Sequence, residues 1–120
     1  MFLGIEIGGT KLQLGVGAAD GSELTVLNRL PVEPERGAAG ILDEIQRHGA
    51  ALIQKHDVER IGIGFGGPVD AAAGRIIKSH QIAGWEDVSI VRWCEETLGK
   101  PTVVGNDCDV AALAEARFGA

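Results

Sequence analysis

Residues 3–16, Leu3-Gly4-Ile5-Glu6-Ile7-Gly8-Gly9-Thr10-Lys11-Leu12-Gln13-Leu14-Gly15-Val16, decide how the rest of the chain is read. Two short apolar runs of strand type, 3–7 and 12–16, flank Gly8-Gly9-Thr10-Lys11. This spacing predicts a β-hairpin with a tight, glycine-built turn. Glycines let backbone N–H groups approach an anion closely, Thr10 adds a hydroxyl donor and Lys11 a positive charge. That is the chemistry of a phosphate-holding turn, and Glu6 beside it is placed to help hold a divalent cation. An ordinary glycine hairpin with a surface lysine has the same letters, so the stretch by itself leaves both readings open.

Composition narrows the classes. The chain has 120 residues, one domain's worth and short for a two-domain enzyme. With 45% hydrophobic and 23% charged residues it is globular rather than disordered. A net charge of −6 argues against a nucleic-acid partner or an anionic membrane surface, so any phosphate must be held locally by backbone N–H groups and a metal ion. Cys94 and Cys108 are the only cysteines, too few for a disulfide framework or a four-ligand metal site, and both read as small buried side chains. His48, His56 and His80 are scattered without zinc-ligand spacing. The N-terminus lacks a basic region, Glu6 interrupts its apolar run, and no stretch approaches the roughly 20 apolar residues of a membrane span. The expectation is a cytoplasmic protein with no membrane partner.

Outward from the hairpin, residues 19–22 read as a turn and 24–30 as a third strand. Pro31 and Pro34 then break the pattern. From Gly40, apolar residues at Ile41, Leu42, Ile45, Leu52 and Ile53 recur at the spacing of one helix face, with His48 and His56 among the surface positions. Residues 60–65 form a short buried strand running into Gly66-Gly67-Pro68-Val69-Asp70. Gly62, Gly64 and Gly67 match the dinucleotide-binding G-x-G-x-x-G spacing, but that fingerprint needs its last glycine to open a helix, and Pro68 and Asp70 follow instead. A short strand at 75–78 leads to a loop, 79–87, carrying Trp85. Ser89 is placed to cap a helix with Ile90, Val91, Cys94 and Leu98 on one face, stopped by Gly99-Lys100-Pro101. A strand at 102–104 runs directly into Gly105-Asn106-Asp107, and 110–118 reads as an alanine-rich helix. An antiparallel three-strand meander followed by alternating helices and strands predicts an α/β domain with a mixed sheet and flanking helices.

Asp107 lies where a strand gives way to a helix, at the strand end where open α/β sheets gather ligands. Buried beside an alcohol, its carboxylate can accept the hydroxyl proton while the oxygen attacks a phosphoryl group, with Asn106 bonding neighbouring hydroxyls. Asn and Asp are equally the preferred helix N-caps, and the two roles are compatible.

Together, Ile5-Glu6-Ile7-Gly8-Gly9-Thr10-Lys11, Gly64-Phe65-Gly66-Gly67-Pro68-Val69-Asp70 and Gly105-Asn106-Asp107-Cys108-Asp109-Val110-Ala111-Ala112 resemble three ordered signatures of the ROK family. That family comprises bacterial sugar kinases, glucokinases included, and sugar-responsive repressors. The resemblance covers essentially the whole chain. It implies the actin-like ATPase (ribonuclease H-like) fold and ATP- and Mg²⁺-dependent phosphorylation of a sugar hydroxyl. On it, Gly8, Gly9, Thr10 and Lys11 form a first phosphate loop, and Glu6, where the family usually has aspartate, acts on the metal through water. Asp107 is the catalytic base, and Asn106, Asp107, Gly66, Gly67 and Gln81 meet the sugar.

Three residues depart from the family pattern. Glu6 is longer by a methylene. Gly66 replaces a usual proline, which is expected to loosen its loop. Gln81 stands for a usual asparagine and moves the amide outward, a displacement worth on the order of 10²-fold if it misplaces a substrate. Family members are also much longer. Their second lobe carries the adenosine site, further sugar ligands and a zinc site of one histidine and three cysteines. Residues 1–120 are therefore expected to be the N-terminal lobe, with structural zinc only in a C-terminal lobe and a homodimer as the full-length assembly. Repressor members begin with a winged helix-turn-helix, for which a first strand at Leu3 leaves no room. The other alternative is an assembly module pairing through exposed sheet edges.

Overall fold

The computed structural model describes residues 1–8, 11–17, 24–70, 72–77 and 83–105. Along the chain come β1 (Phe2–Ile7), β2 (Lys11–Gly17), β3 (Leu24–Pro31), a 3₁₀ turn (Pro34–Arg36), α1 (Gly37–Lys55), β4 (Arg60–Phe65), β5 (Val69–Asp70), β6 (Arg75–Ile76), α2 (Ile90–Leu98) and β7 (Thr102–Gly105). The main sheet has the order β3-β2-β1-β4-β7. β1, β2 and β3 pair antiparallel, while β1, β4 and β7 are parallel. β5 and β6 form a separate two-stranded ribbon. This is the mixed sheet with a three-strand meander that the residue pattern predicts.

Strand alternation separates the two faces of the sheet. One face carries Leu3, Ile5 and Ile7 of β1, level with Leu12, Leu14 and Val16 of β2 and with Ile61, Ile63 and Phe65 of β4. All are buried in one apolar cluster with Ala38, Ile41, Ile45 and Leu52 of α1 and Ile90 and Cys94 of α2. Both helices lie on this face: a Cβ added at Gly49 of α1 would stand 3.7 Å from Leu3 and 3.2 Å from Leu98 of α2. Each fully buried aliphatic side chain here contributes roughly 1.5–3 kcal/mol relative to its exposed state.

The opposite face is built differently. Gly15, Gly4 and Gly62 stand side by side across β2, β1 and β4, all buried. The next row toward the carboxyl ends of the parallel strands is Arg29, Gln13, Glu6, Gly64 and Gly105, from β3 to β7.

α1 begins three residues before the expected start, following directly on the 3₁₀ turn. Ser89 occupies the N-cap of α2, but its side chain makes no capping hydrogen bond. Gly99 ends that helix in the left-handed conformation, as expected. Of the strand expected at 75–78, Arg75–Ile76 is observed; Lys78 and the helix expected at 110–118 lie outside the described residues. Among the described residues, no helix is long and apolar enough to cross a membrane.

Cys94 is fully buried, as its composition-based reading expected; Cys108 lies outside the described residues. Burial pushes the Cys94 thiol up from 9.0 to about 11, opposed by a side-chain hydrogen bond with Thr102 and reinforced by the negative charge of Glu95. Between those two pH values the unfolded thiol loses its proton and the folded one keeps it, so this contribution to stability is complete below about pH 9 and is lost as pH rises toward 11. The expected result is that the stability difference between wild type and Cys94→Ala shrinks across that window, at up to about 1.4 kcal/mol per pH unit. Denaturant melts of both proteins through the window check it, and a constant difference would refute it.

Candidate functional site

Because β1, β4 and β7 are parallel, their carboxyl ends open on one edge of the sheet. Glu6, Gly64 and Gly105 are level there, so the three motif-bearing strands reach this edge side by side. Ligands of α/β sheets collect at such an edge.

A cleft of about 270 Å³ occupies it, lined by Glu6, Ile7, Gly8, Lys11, Gln13, Gly64, Phe65 and Gly66. The turn after β1 is closed by the Gly8 N–H, which donates to the Lys11 carbonyl at 3.0 Å. The loop after β4 runs against it main chain to main chain. The Gly66 N–H donates to the Ile7 carbonyl at 3.0 Å, and a Cβ on Gly66 would stand 3.9 Å from the Gly8 Cα. This bond carries the β1–β4 pairing one residue beyond the strands. The expected loosening at Gly66 is thus countered by a main-chain tie that proline, lacking an N–H, could not make.

The Glu6 carboxylate is half-buried, and its Oε2 accepts a hydrogen bond from Gln13 Nε2 at 3.0 Å. Gln13 Oε1 in turn accepts one from Arg29 Nε at 3.2 Å. Among the described residues Glu6 has no ion-pair partner, and Lys11 is exposed at the rim. A single partly buried carboxylate with only a neutral donor suits Mg²⁺, which keeps several waters and binds through one or two carboxylates and substrate phosphates.

Of the expected site residues, Glu6, Gly8, Lys11 and Gly66 come together around this cleft, with Gly67 next in the chain. Gly9, Thr10, Gln81, Asn106 and Asp107 lie outside the described residues. Gln13 and Arg29 were not singled out from the sequence. The available signal was a polar residue interrupting the apolar run of β2, opposite Glu6.

The residues flanking 78–82 are firmly held. The Ile77 N–H donates to the Pro68 carbonyl at 3.0 Å, beside the Gly66-Gly67 loop. On the other side, the Ala38 N–H at the start of α1 donates to the Ala83 carbonyl at 2.8 Å. Two glycines permit that docking. Gly37 has φ +66 and would place a Cβ 3.0 Å from the Ala83 oxygen; Gly84 has φ +96 and would place one 3.2 Å from the Ala38 Cβ. Any other residue would be strained at both positions. Trp85 follows, fully buried and edge-on to Phe65, with ring centroids 5.4 Å apart at 70°.

The chain matches the ROK family over residues 2–120. The glucokinase of Streptomyces coelicolor is 30% identical over 118 residues, covering 98% of this chain and 36% of that protein. A ROK family glucokinase from Streptomyces griseus, solved in complex with glucose and AMPPNP, has a TM-score of 0.80 at 35% identity, over 99% of this chain and 37% of that one. The ROK hexokinase from Thermus thermophilus has a TM-score of 0.75 at 33% identity, over 97% and 38% of the two chains. This chain thus spans a little over a third of the length of these relatives. Its mixed sheet with flanking helices matches the actin-like ATPase fold of those kinases. With the match running over nearly its whole length, the chain belongs to the ROK family.

Proposed function

We propose that residues 1–120 are the N-terminal lobe of a cytoplasmic, ATP-dependent sugar kinase that transfers a phosphoryl group to a hydroxyl of a hexose or amino sugar. One observation supports this reading: the register of Glu6, Gly64 and Gly105 brings the three signature-bearing strands to one level at this edge. Glucokinase and hexokinase relatives support it.

In this reading Gly8, Gly9, Thr10 and Lys11 hold the transferred phosphate from one side. Glu6 would hold a hydrated Mg²⁺, which would supply positive charge for the phosphate oxygens. Gly66, Gly67, Gln81 and Asn106 position the sugar, and Asp107 accepts the proton of the attacking hydroxyl. Catalysis of this kind rests on clamping substrates from both walls of a cleft. One wall alone should not turn over, and the working enzyme is a two-lobe chain acting as a homodimer.

A coupled assay with a panel of sugars tests the reading. The expected result is ATP-dependent phosphorylation by the full-length protein and none by these 120 residues alone. Robust turnover by the isolated chain would overturn the two-lobe requirement. Salt-sensitive, sequence-specific DNA binding without turnover would instead assign a sugar-responsive regulator.

A further inference from the structure

We propose that Gln13, itself oriented by Arg29, is a positioning residue that fixes the Glu6 carboxylate toward a hydrated divalent cation. This rests on the metal role given to Glu6 in the preceding reading.

The register makes the arrangement. Glu6 is opposite Gln13 across β1 and β2, and Gln13 is opposite Arg29 across β2 and β3, so the three side chains are direct cross-strand neighbours on one face. Gln13 Nε2 donates to Glu6 Oε2 at 3.0 Å, and Arg29 Nε donates to Gln13 Oε1 at 3.2 Å. The chemistry of the three groups allows only this direction. A guanidinium offers donors alone and a carboxylate acceptors alone, so an amide between them satisfies both only with its oxygen toward Arg29 and its nitrogen toward Glu6. The opposite orientation would set two donors against each other on one side and two acceptors on the other.

Each part of the row has a use. Glu6 has one more rotatable bond than an aspartate would have, and holding that bond in one state costs entropy. The Gln13 bond fixes the end of the longer side chain and leaves the other oxygen, Oε1, without a hydrogen bond among the described residues. Because the donor is neutral, Glu6 is anchored without being given an opposite charge, and it lines the cleft. Arg29 sits one residue further out and is exposed, so its charge is kept off the carboxylate. A lysine or arginine at position 13 would pair with Glu6 and compete with a cation.

Partners that orient a metal's ligands typically change metal affinity by about 10–100-fold when removed. The test measures Mn²⁺ binding to the full-length protein with ADP by electron paramagnetic resonance, alongside metal-free ADP binding and sugar binding by calorimetry. Glu6→Gln should weaken Mn²⁺ binding. Gln13→Leu should weaken it about 10-fold or more, with metal-free ADP and sugar affinities within a factor of about 2 of wild type. In the Glu6→Gln background, Gln13→Leu should add nothing, which is the coupling expected of residues acting as one unit. Arg29→Met, at an exposed position where the fold is not at stake, should weaken Mn²⁺ binding in the same direction and be non-additive with Gln13→Leu.

The outcomes separate cleanly. Unchanged Mn²⁺ affinity in Glu6→Gln would overturn the metal role of Glu6 itself. A loss in Glu6→Gln with none in Gln13→Leu, or additive losses in the double variant, would overturn the positioning role. Should Gln13→Leu fail to fold, Arg29→Met decides: wild-type Mn²⁺ affinity in that variant overturns the proposal.

Discussion

Replacing Asp107 by asparagine in the full-length protein is expected to lower kcat by about 10²–10⁴-fold, the range contributed by a positioned general base. Sugar affinity should stay within a few-fold of wild type. The substitution is informative because it separates the two roles that the sequence allows for Asp107. As a helix N-cap, asparagine is as good as aspartate, so a capping role alone predicts unchanged stability and unchanged turnover. As a base, the amide cannot accept the proton. β7 ends level with its neighbours: Gly105 pairs with Gly64, which pairs with Glu6, and Asp107 is two residues further on in the sequence. Steady-state kinetics with calorimetric sugar binding check the result. Turnover within a few-fold of wild type would remove Asp107 from the role of base.

The second large effect belongs to Trp85. Trp85→Ala is expected to destabilise the protein by about 3–5 kcal/mol, the usual cost of emptying a fully buried aromatic site. Trp85 is completely buried, packs edge-on against Phe65, and follows directly on the docked Ala83-Gly84 segment. Among the described residues its indole Nε1 is buried without a hydrogen-bond partner. Trp85→Phe removes that orphan donor, which costs about 1–3 kcal/mol to leave unpaired, while keeping most of the ring. The phenylalanine variant should therefore lie within about 1 kcal/mol of wild type, because the lost ring volume and the removed orphan group oppose each other. Denaturant melts of the two variants check both expectations. An alanine variant within 1 kcal/mol of wild type would show that the site collapses freely and that Trp85 is not a core residue.

Elements whose burial repeats with a clear period were legible in the sequence. β1, β2, β4 and β7 alternate or run apolar between glycines, and α1 and α2 each present one apolar face, so their type and approximate extent could be read directly. The start of α1 could not. Pro34 and Glu35 carry the composition of a loop, and only the docking of Ala38 on Ala83 shows that the chain is already turning there. Trp85 lay in a stretch with no period at all, so nothing local distinguished a core anchor from a surface aromatic. β5 and β6, two residues each, are too short to carry a pattern. Within the site, Glu6 and the glycines were legible because their chemistry is concentrated in one stretch. Gln13 and Arg29 were not, because their connection to Glu6 exists only across strands, and register is a property of the sheet rather than of any segment.

The glycine row of Gly15, Gly4 and Gly62 bears on how such a chain can diverge. Where two side chains meet, a loss of volume on one partner can be matched by a gain on the other, and lineages exchange bulk back and forth across the contact. A glycine row has nothing left to give up. The three glycines are buried, and every substitution there adds volume. Change at such a surface runs in one direction only: a side chain can be gained there and none can be lost.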